Sequence, residues 1–529
     1  MVDIPYDVWK HVTDFLPSDD VKNLLTINHA LFNIAMDERY KSSLFGSLFH
    51  PSTLLSLRRL SDPQVANRVR VFKFIPGHLF RLLKEGEESA SLQASAPSST
   101  PGSTSLGSHS SEQPSGSNRS RRRHVIRGAT SSTQRFGLST SGTTGRSMGS
   151  IIKQPPIAPD QALEQLTIVM ANLTSLITLQ VEIRGEEHYY MADSKALIFD
   201  FTWPAIASSL RNLELRIPME DMVLVLPDHK ETALTRLESL YLRIIRASLS
   251  TAEQPIILDI LLPFLTAHRA SLRSLTLDIA EQTDLSVFLL TAHLPHLREF
   301  KLKIPLASPT DRRFTALQSF FRSHRTQLTA FDIELLATFT HQFADQTFFD
   351  QDHFTTYRPK LQHLSITTPS HSASMKAYIL QFRWTLVSLR VHNSHRWSLE
   401  LLRTLVEAFL PTGTLKRLDV AVFEFSPELL VALAINLPNL DVLSLDIESV
   451  IPQGTTYSTS EAQDVPQFCH VMGDVVFSQW QLKTLITTPL HVVHAVRALY
   501  KKAVVRSLPN VTNFSGMGRK AYLETPVFI

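Results

Sequence analysis

The sequence predicts an α/β chain: a short N-terminal helical module, then a long series of strand–helix units, with a long disordered insertion between the two. Three observations carry this expectation. Residues 4–40 hold a run of short amphipathic helices punctuated by Pro5 and Pro17. A leucine spacing returns twelve times between Leu176 and Phe514. Between them, residues 85–160 collapse into Ser, Thr, Gly and Pro with almost no aromatic residues. At 529 residues with 43% hydrophobic content, the chain is long enough for an extended repeat architecture with a substantial core.

In the N-terminal stretch, Pro5 stands where a helix should begin, since its fixed φ and missing N–H cost nothing in a first turn. Val8, Val12 and Phe15 recur at helical spacing, and Trp9, Val12 and Leu16 mark an adjoining stripe. Pro17 is expected to end this helix, and Ser18 or Asp19 to cap a second one carrying Val21, Leu24 and Leu25. A third apolar group follows at Leu31, Phe32, Ile34 and Ala35. Fewer than forty residues bury little surface alone, so such a module completes itself against a partner or against its own downstream chain.

The order Ile-Pro, apolar helix, Phe-Leu-Pro, Asp-Asp-Val, Leu-Leu, Ile-Asn resembles an F-box, in the versions found in fungal proteins, over about residues 4–40. It departs from the commonest pattern at Ile4 and at Ile27-Asn28. The resemblance implies a module, residues 1–40, that docks on a Skp-type adaptor and through it on cullin. The docking face would use Ile4, Pro5, Val8, Trp9, Val12, Leu16, Leu24 and Leu25. It also implies that the downstream chain captures a protein target for ubiquitination while doing no chemistry itself.

Residues 41–84 read as connecting helices and a first repeat. Leu44, Phe45, Leu48 and Phe49 are available for packing, Val69, Val71 and, after a one-residue phase slip, Phe74 suggest a short strand, and helical spacing returns at 78–84. Residues 85–160 cannot bury enough apolar area to offset their ordering entropy and are expected to be disordered. With the helix expected at 161–173 leading straight into Leu176, this segment reads as an insertion within the repeats, a plain linker between two domains being the alternative. It holds the cluster Arg119-Ser120-Arg121-Arg122-Arg123-His124, either a nuclear-import or anion-binding patch or a solvated basic stretch. Between Gly86 and Lys153 eight basic residues face three acidic ones (8 − 3 = +5), so the remainder of the chain is at 44 − 46 = −2 and the excess positive charge behind the net +3 resides in that segment. A general nucleic-acid-binding surface is thereby disfavoured.

From residue 161 to 529 the returning pattern is L-x-x-L-x-L-x-I, as in Leu210-Leu213-Leu215-Ile217, Leu237-Leu240-Leu242-Ile244 and Leu440-Leu443-Leu445-Ile447. Its second half alternates with strand period. Between instances lie helical stretches at 256–268, 314–324, 399–409, 428–436 and 491–506. A strand then a helix at this spacing matches an irregular leucine-rich-repeat solenoid, similar to the repeats of fungal F-box/leucine-rich-repeat proteins. Alternate strand residues should then face outward, among them Tyr241, Arg243, Lys301, Lys303, Asp332, Glu334, Arg390 and His392. Their mixed signs suit a protein partner rather than a phosphate-tracking groove. The stretch 341–360 carries the aromatic residues Phe348, Phe349, Phe354 and Tyr357, and Thr455–Pro466 reads as a mobile surface loop.

No G-x-S-x-G, G-x-x-x-x-G-K, H-E-x-x-H or G-x-G-x-x-G motif follows the required context. His491 and His494 lie three apart but lack a nearby third ligand, and Gly516-Met517-Gly518-Arg519 is too short to count as a glycine motif. No enzyme, cofactor or metal is expected. The single Cys469 and the absence of a long apolar run point to the cytoplasm or nucleus and away from a membrane. The two functional expectations are a substrate receptor of an SCF-type ubiquitin ligase and a non-catalytic leucine-rich-repeat scaffold acting without ubiquitin transfer.

Overall fold

The computed structural model describes residues 4–94, 157–184, 192–228, 233–245, 253–279, 284–305, 312–336, 349, 360–368, 373–393, 396–450, 461–488 and 494–524. The expectations placed on the arginine cluster at 119–124, on Phe348, Phe354 and Tyr357, on His491 and on most of 85–160 lie outside the described residues.

Among the described residues the chain is mixed α/β, and fifteen strands form one sheet in sequence order. The first five are β1 (Ser42–Phe45), β2 (Val71–Phe74), β3 (Thr178–Glu182), β4 (Asn212–Pro218) and β5 (Ser239–Ile245). Next come β6 (Ser274–Ile279), β7 (Glu299–Pro305), β8 (Ala330–Leu336), β9 (His363–Thr368) and β10 (Ser388–Asn393). β11 (Arg417–Phe425), β12 (Val442–Val450), β13 (Thr484–Thr487), β14 (Asn513–Phe514) and β15 (Met517–Gly518) complete the sheet. Neighbours from β1 to β14 are parallel, and only β14–β15 is antiparallel.

The twelve leucine recurrences are the strands β3 to β14, and the pairing register follows the spacing. The second apolar residue of each instance stands beside its counterpart, from Leu179 and Leu213 through Phe300 and Phe331 to Leu485 and Phe514, none more than 2% exposed. The two residues after the leading leucine have a task of their own. The carbonyl of the first accepts two successive N–H groups from the next unit: Ile177 from Arg211 and Asn212, Arg211 from Glu238 and Ser239, Glu238 from Arg273 and Ser274. The same forked contact begins at Lys41, which accepts from Arg70 and Val71. It explains why two residues separate the first two leucines.

This frame corrects the reading of the first strands. Val69, Phe72 and Phe74 are the buried positions, and Val71 lies on the other face, so no phase slip occurs. β1 falls where helix and loop were expected. Its Ser42-Ser43-Leu44-Phe45 buries only Phe45, too little for a visible alternation. β2 pairs with β3, so the chain before residue 95 and the chain after residue 156 contribute adjacent strands.

Helices pack one face of the sheet, and their buried residues belong to the same core as the strand residues. The expected helices appear at Pro159–Asn172, Arg312–Ser323, Leu399–Val406, Pro427–Asn436 and His494–Ser507. The stretch expected at 256–268 is broken into Glu253–Ile256, a π turn at Ile257–Leu261 and Leu262–Ala267. Pro263 has no N–H for the carbonyl four residues back, and the ladder is interrupted just ahead of it. Two boundaries need correction. The helix expected at 78–84 runs Gly77–Ala94, well into the segment read as disordered, and Glu461–Asp474 is helical where Thr455–Pro466 was read as loop. Phe349 is buried against Tyr378, with ring centroids 5.2 Å apart.

The N-terminal module comprises α1 (Tyr6–Thr13), α2 (Ser18–Lys22), a 3-10 turn at Leu24–Thr26 and α3 (His29–Tyr40). α1 ends at Thr13 rather than at Pro17, and Pro17 occupies the cap position of α2. Ser18 therefore caps nothing; its hydroxyl donates to Glu38 Oε1 at 2.8 Å. Asn28 caps α3, accepting from the Leu31 N–H at 2.8 Å. Arg68, just ahead of β2, holds α3 by donating to the Asn33 carbonyl at 3.2 Å and pairing with Asp37. At the other end Ser515 (φ 51°) and Gly516 (φ 86°) turn the chain into β15, and Arg519 donates to the carbonyls of Leu508, Pro509 and Val511. The Gly516–Arg519 run is thus a structural hairpin that covers the last parallel edge.

Two buried histidines tie units together. His324 Nε2 accepts from the Leu294 N–H at 3.0 Å, which places the proton on Nδ1, 2.7 Å from the Phe320 carbonyl. His268 repeats this with Leu234 and Phe264. Burial, the largest influence, holds the His324 imidazole below its ordinary pKa, despite the opposing hydrogen bond to Phe320.

Candidate interaction surfaces

Two surfaces carry side chains that the fold itself does not use. The first is on the N-terminal module. Its own core is small: Val21, Leu31 and Ile34, with Trp9 and Leu24 packed against them. Around it, apolar side chains stay in solvent. Val8 and Val12, one helical turn apart on α1, are 49% and 46% exposed, and Phe15 is 77% exposed. Ile4 and Leu16 are exposed as well, and so is Pro5. Of the eight residues assigned to this surface from the sequence, Ile4, Pro5, Val8, Val12 and Leu16 are therefore open, whereas Trp9, Leu24 and Leu25 are half-buried. Trp9 and Leu24 serve the module's core, so substituting them would test folding before docking. Phe15, Ile27 and Phe32 are exposed too and were not among the eight. Phe15 lies on the Val8–Val12 stripe, and that stripe was the signal that should have included it.

Behind α1 a cavity of about 430 Å³ is lined by Tyr6, Lys10, Asp14, Asp37, Arg68 and Arg70 among others. Burial, with the nearby Asp37 carboxylate, raises the Tyr6 pKa. Its charges are of both signs and mostly engaged with one another, as in Arg68–Asp37 and Lys41–Glu38.

The second surface is the face of the sheet that the helices leave open. Every residue expected to point outward does so, but most are already occupied. Tyr241 donates to Asp278 Oδ2 at 3.3 Å, and Arg243 lies 3.5 Å from the same oxygen. The Arg216 guanidinium sits 5.5 Å from the centre of the Tyr241 ring. Lys303 and Glu334 pair at 2.7 Å. Arg390 and His392 converge on Asp419, at 3.5 and 2.9 Å. Burial works to raise the Asp419 pKa, but the contacts from His392, Ser444 and Arg390 outweigh it and the pKa falls below the usual carboxylate range. Arg396 crosses β11 to reach Asp446 and Glu448, and Trp397 bridges to Val422, which explains why Asp419 and Ala421 are buried on an otherwise open face.

Lys301 and Asp332 differ from the other six. They stand opposite each other on β7 and β8 yet form no ion pair or side-chain hydrogen bond among the described residues. Both line a groove of about 520 Å³ across β7 to β11. Arg390 is the third assigned residue in it; Tyr241, Arg243, Lys303, Glu334 and His392 are not. The groove also holds Glu299, His363 and Arg417, the first residues of β7, β9 and β11. They fall outside the sequence expectation, which places outward positions only after the second leucine. Strand period places the residue just before it on the same face.

Among the described residues no group of three metal-ligating side chains occurs, and no helix is long and apolar enough to cross a membrane. Comparison with protein-family models gives no match to the chain, and comparison with curated protein sequences gives none either.

Proposed function

We propose that this chain is the substrate-recognition subunit of an SCF-type ubiquitin ligase. In this reading α1–α3 act as an F-box that docks on a Skp-type adaptor, and through it on cullin. The strand–helix units form an irregular leucine-rich-repeat solenoid whose open face captures a protein target, with residues 85–160 as an insertion between its early units. The pairing of β2 with β3 supports the insertion over a linker between two domains. The protein works in the cytoplasm or nucleus and supplies no catalytic group, cofactor or metal.

The observation that carries the proposal is the exposure of Ile4, Val8, Val12, Phe15 and Leu16 on a module whose own core is three buried residues. Monomeric proteins rarely leave contiguous apolar surface open without a use for it. Completing the burial of such side chains contributes about 1 kcal/mol each. The receptor's contribution to ubiquitination is then positional: it holds the target near the charged carrier and raises its effective concentration.

The test is affinity purification of the full chain with its Skp-type adaptor, with and without proteasome inhibition. The proposal expects the adaptor in both samples and target proteins that accumulate when the proteasome is blocked. Adaptor binding without accumulation would instead favour a leucine-rich-repeat scaffold acting without ubiquitin transfer.

A further inference from the structure

We propose that the groove across β7–β11 binds an extended, bipolar peptide segment of the partner: a basic side chain and an acidic one four to six residues apart. The inference rests on the reading of the open face as a capture surface, and adds the chemistry of what is captured.

The argument starts from charge that the fold leaves unused. Elsewhere on this face the ions are matched within the chain, as in Lys303–Glu334 and Arg216–Glu214 at 2.7 and 2.6 Å. In the groove, Glu299, Lys301, Asp332, His363 and Arg417 make no ion pair or side-chain hydrogen bond among the described residues. Asp332 is half-buried, and a carboxylate partly removed from water without a partner favours an incoming cation.

The unused charges are ordered along the groove. Across the first strand position run Glu299, Ala330, His363, Ser388 and Arg417, a registered row with an anion at one end and a cation at the other. Asp332 reinforces the acidic end, where Lys301 leaves a net of one negative charge; at the other end Asp419 balances Arg390, and Arg417 leaves one positive charge. The middle is small and polar: Ser365, Ser388 and the His363 imidazole. A nucleic acid would meet anions at the β7–β8 end, and a uniformly acidic or basic tail would be repelled at one end. A bipolar segment is matched at both.

The spacing follows from the sheet. Neighbouring strands lie about 4.8 Å apart, so β8 to β11 spans roughly 14 Å and β7 to β11 roughly 19 Å. An extended chain advances about 3.4 Å per residue, so the two partner charges fall four to six residues apart.

A peptide array tests this. Peptides carrying one Lys and one Glu at separations from one to ten residues, with two-Lys and two-Glu controls, are probed with the full chain. The expected capture peaks at separations of four to six and drops at least tenfold for both controls. Arg417→Glu should shift preference to the two-Lys peptides, and Glu299→Lys with Asp332→Lys to the two-Glu peptides. Wild-type capture that is absent or indifferent to separation overturns the proposal without recourse to any variant, as does a charge-reversed protein that keeps the wild-type preference. Adaptor co-purification is read in parallel. A chain that ignores the adaptor but keeps the spacing preference overturns the ligase reading alone, and the converse overturns the groove alone.

Discussion

In β3–β14 the apolar positions disappear from solvent: Leu213, Leu240, Phe300 and Leu443 stack strand on strand at 1% exposure or less. In α1 the same kind of residue, at equally regular spacing, stays open, with Val8 and Val12 about half exposed. Both regions are amphipathic by design of their periodicity. They differ in whether the chain supplies the second surface. Each strand has a neighbour on either side and helices beneath it, so its leucines complete one another. The module has only Val21, Leu31 and Ile34 to gather around, and α1 turns its stripe outward. Apolar periodicity alone thus says that a face will be buried, and the number of matching faces in the same chain says by what.

Mutational effects should divide along this line. Phe300→Ala removes a ring packed on Phe320, Phe321 and Phe331 and should cost about 3–5 kcal/mol, read by chemical denaturation. Phe15→Asp should stay within about 0.5 kcal/mol of wild type in the same measurement. Comparable losses at both positions would erase the contrast.

His324→Ala should rank next, at about 1–3 kcal/mol near neutral pH, because it leaves the buried Leu294 N–H without its acceptor. Its pH dependence has a definite sign. The folded state lowers the His324 pKa, so the neutral ring is the bound form, and its contribution is complete above the ordinary histidine pKa near 6.5 and lost as pH falls through the folded value. Thermal melts at pH 7 and pH 5 should therefore show a larger acid-induced drop in Tm for wild type than for His324→Ala. An equal drop in both would assign the acid sensitivity elsewhere.

The smallest effect belongs to the open face. Lys303→Ala should change stability by about 0–1 kcal/mol, since its pairing with Glu334 is partly exposed. A loss like that of Phe300→Ala would mean the face is structural rather than available.

Much of this fold is legible in the sequence because the repeated unit writes its register into its spacing. The two residues between Leu210 and Leu213, or between Leu237 and Leu240, are the forked backbone turn itself. Val69-x-x-Phe72-x-Phe74 obeys the same rule, but it stands alone ahead of the Ser-rich segment, where nothing repeats it and Val71 offers a competing alternation. β1 was hidden because two serines and an exposed Leu44 give no alternation. The candidate sites were less legible. Outward position follows from period two, but whether a charge is free depends on its neighbour one strand over, some thirty residues away. Lys303 and Lys301 look alike in sequence, and only the structure pairs one and leaves the other. Trp9 shows the same limit in the module: its spacing marks it for a face, and its packing on Val21, Leu31 and Ile34 makes that face internal.

The docking claim is met most directly by co-purifying the full chain with a Skp-type adaptor, as wild type and as Val12→Asp/Phe15→Asp. Thermal melting is recorded on the same preparations. The account predicts that wild type retains the adaptor and that the double variant loses at least tenfold while melting at the wild-type temperature. A wild-type chain that does not hold the adaptor, or a double variant that melts normally and holds it equally well, would contradict it.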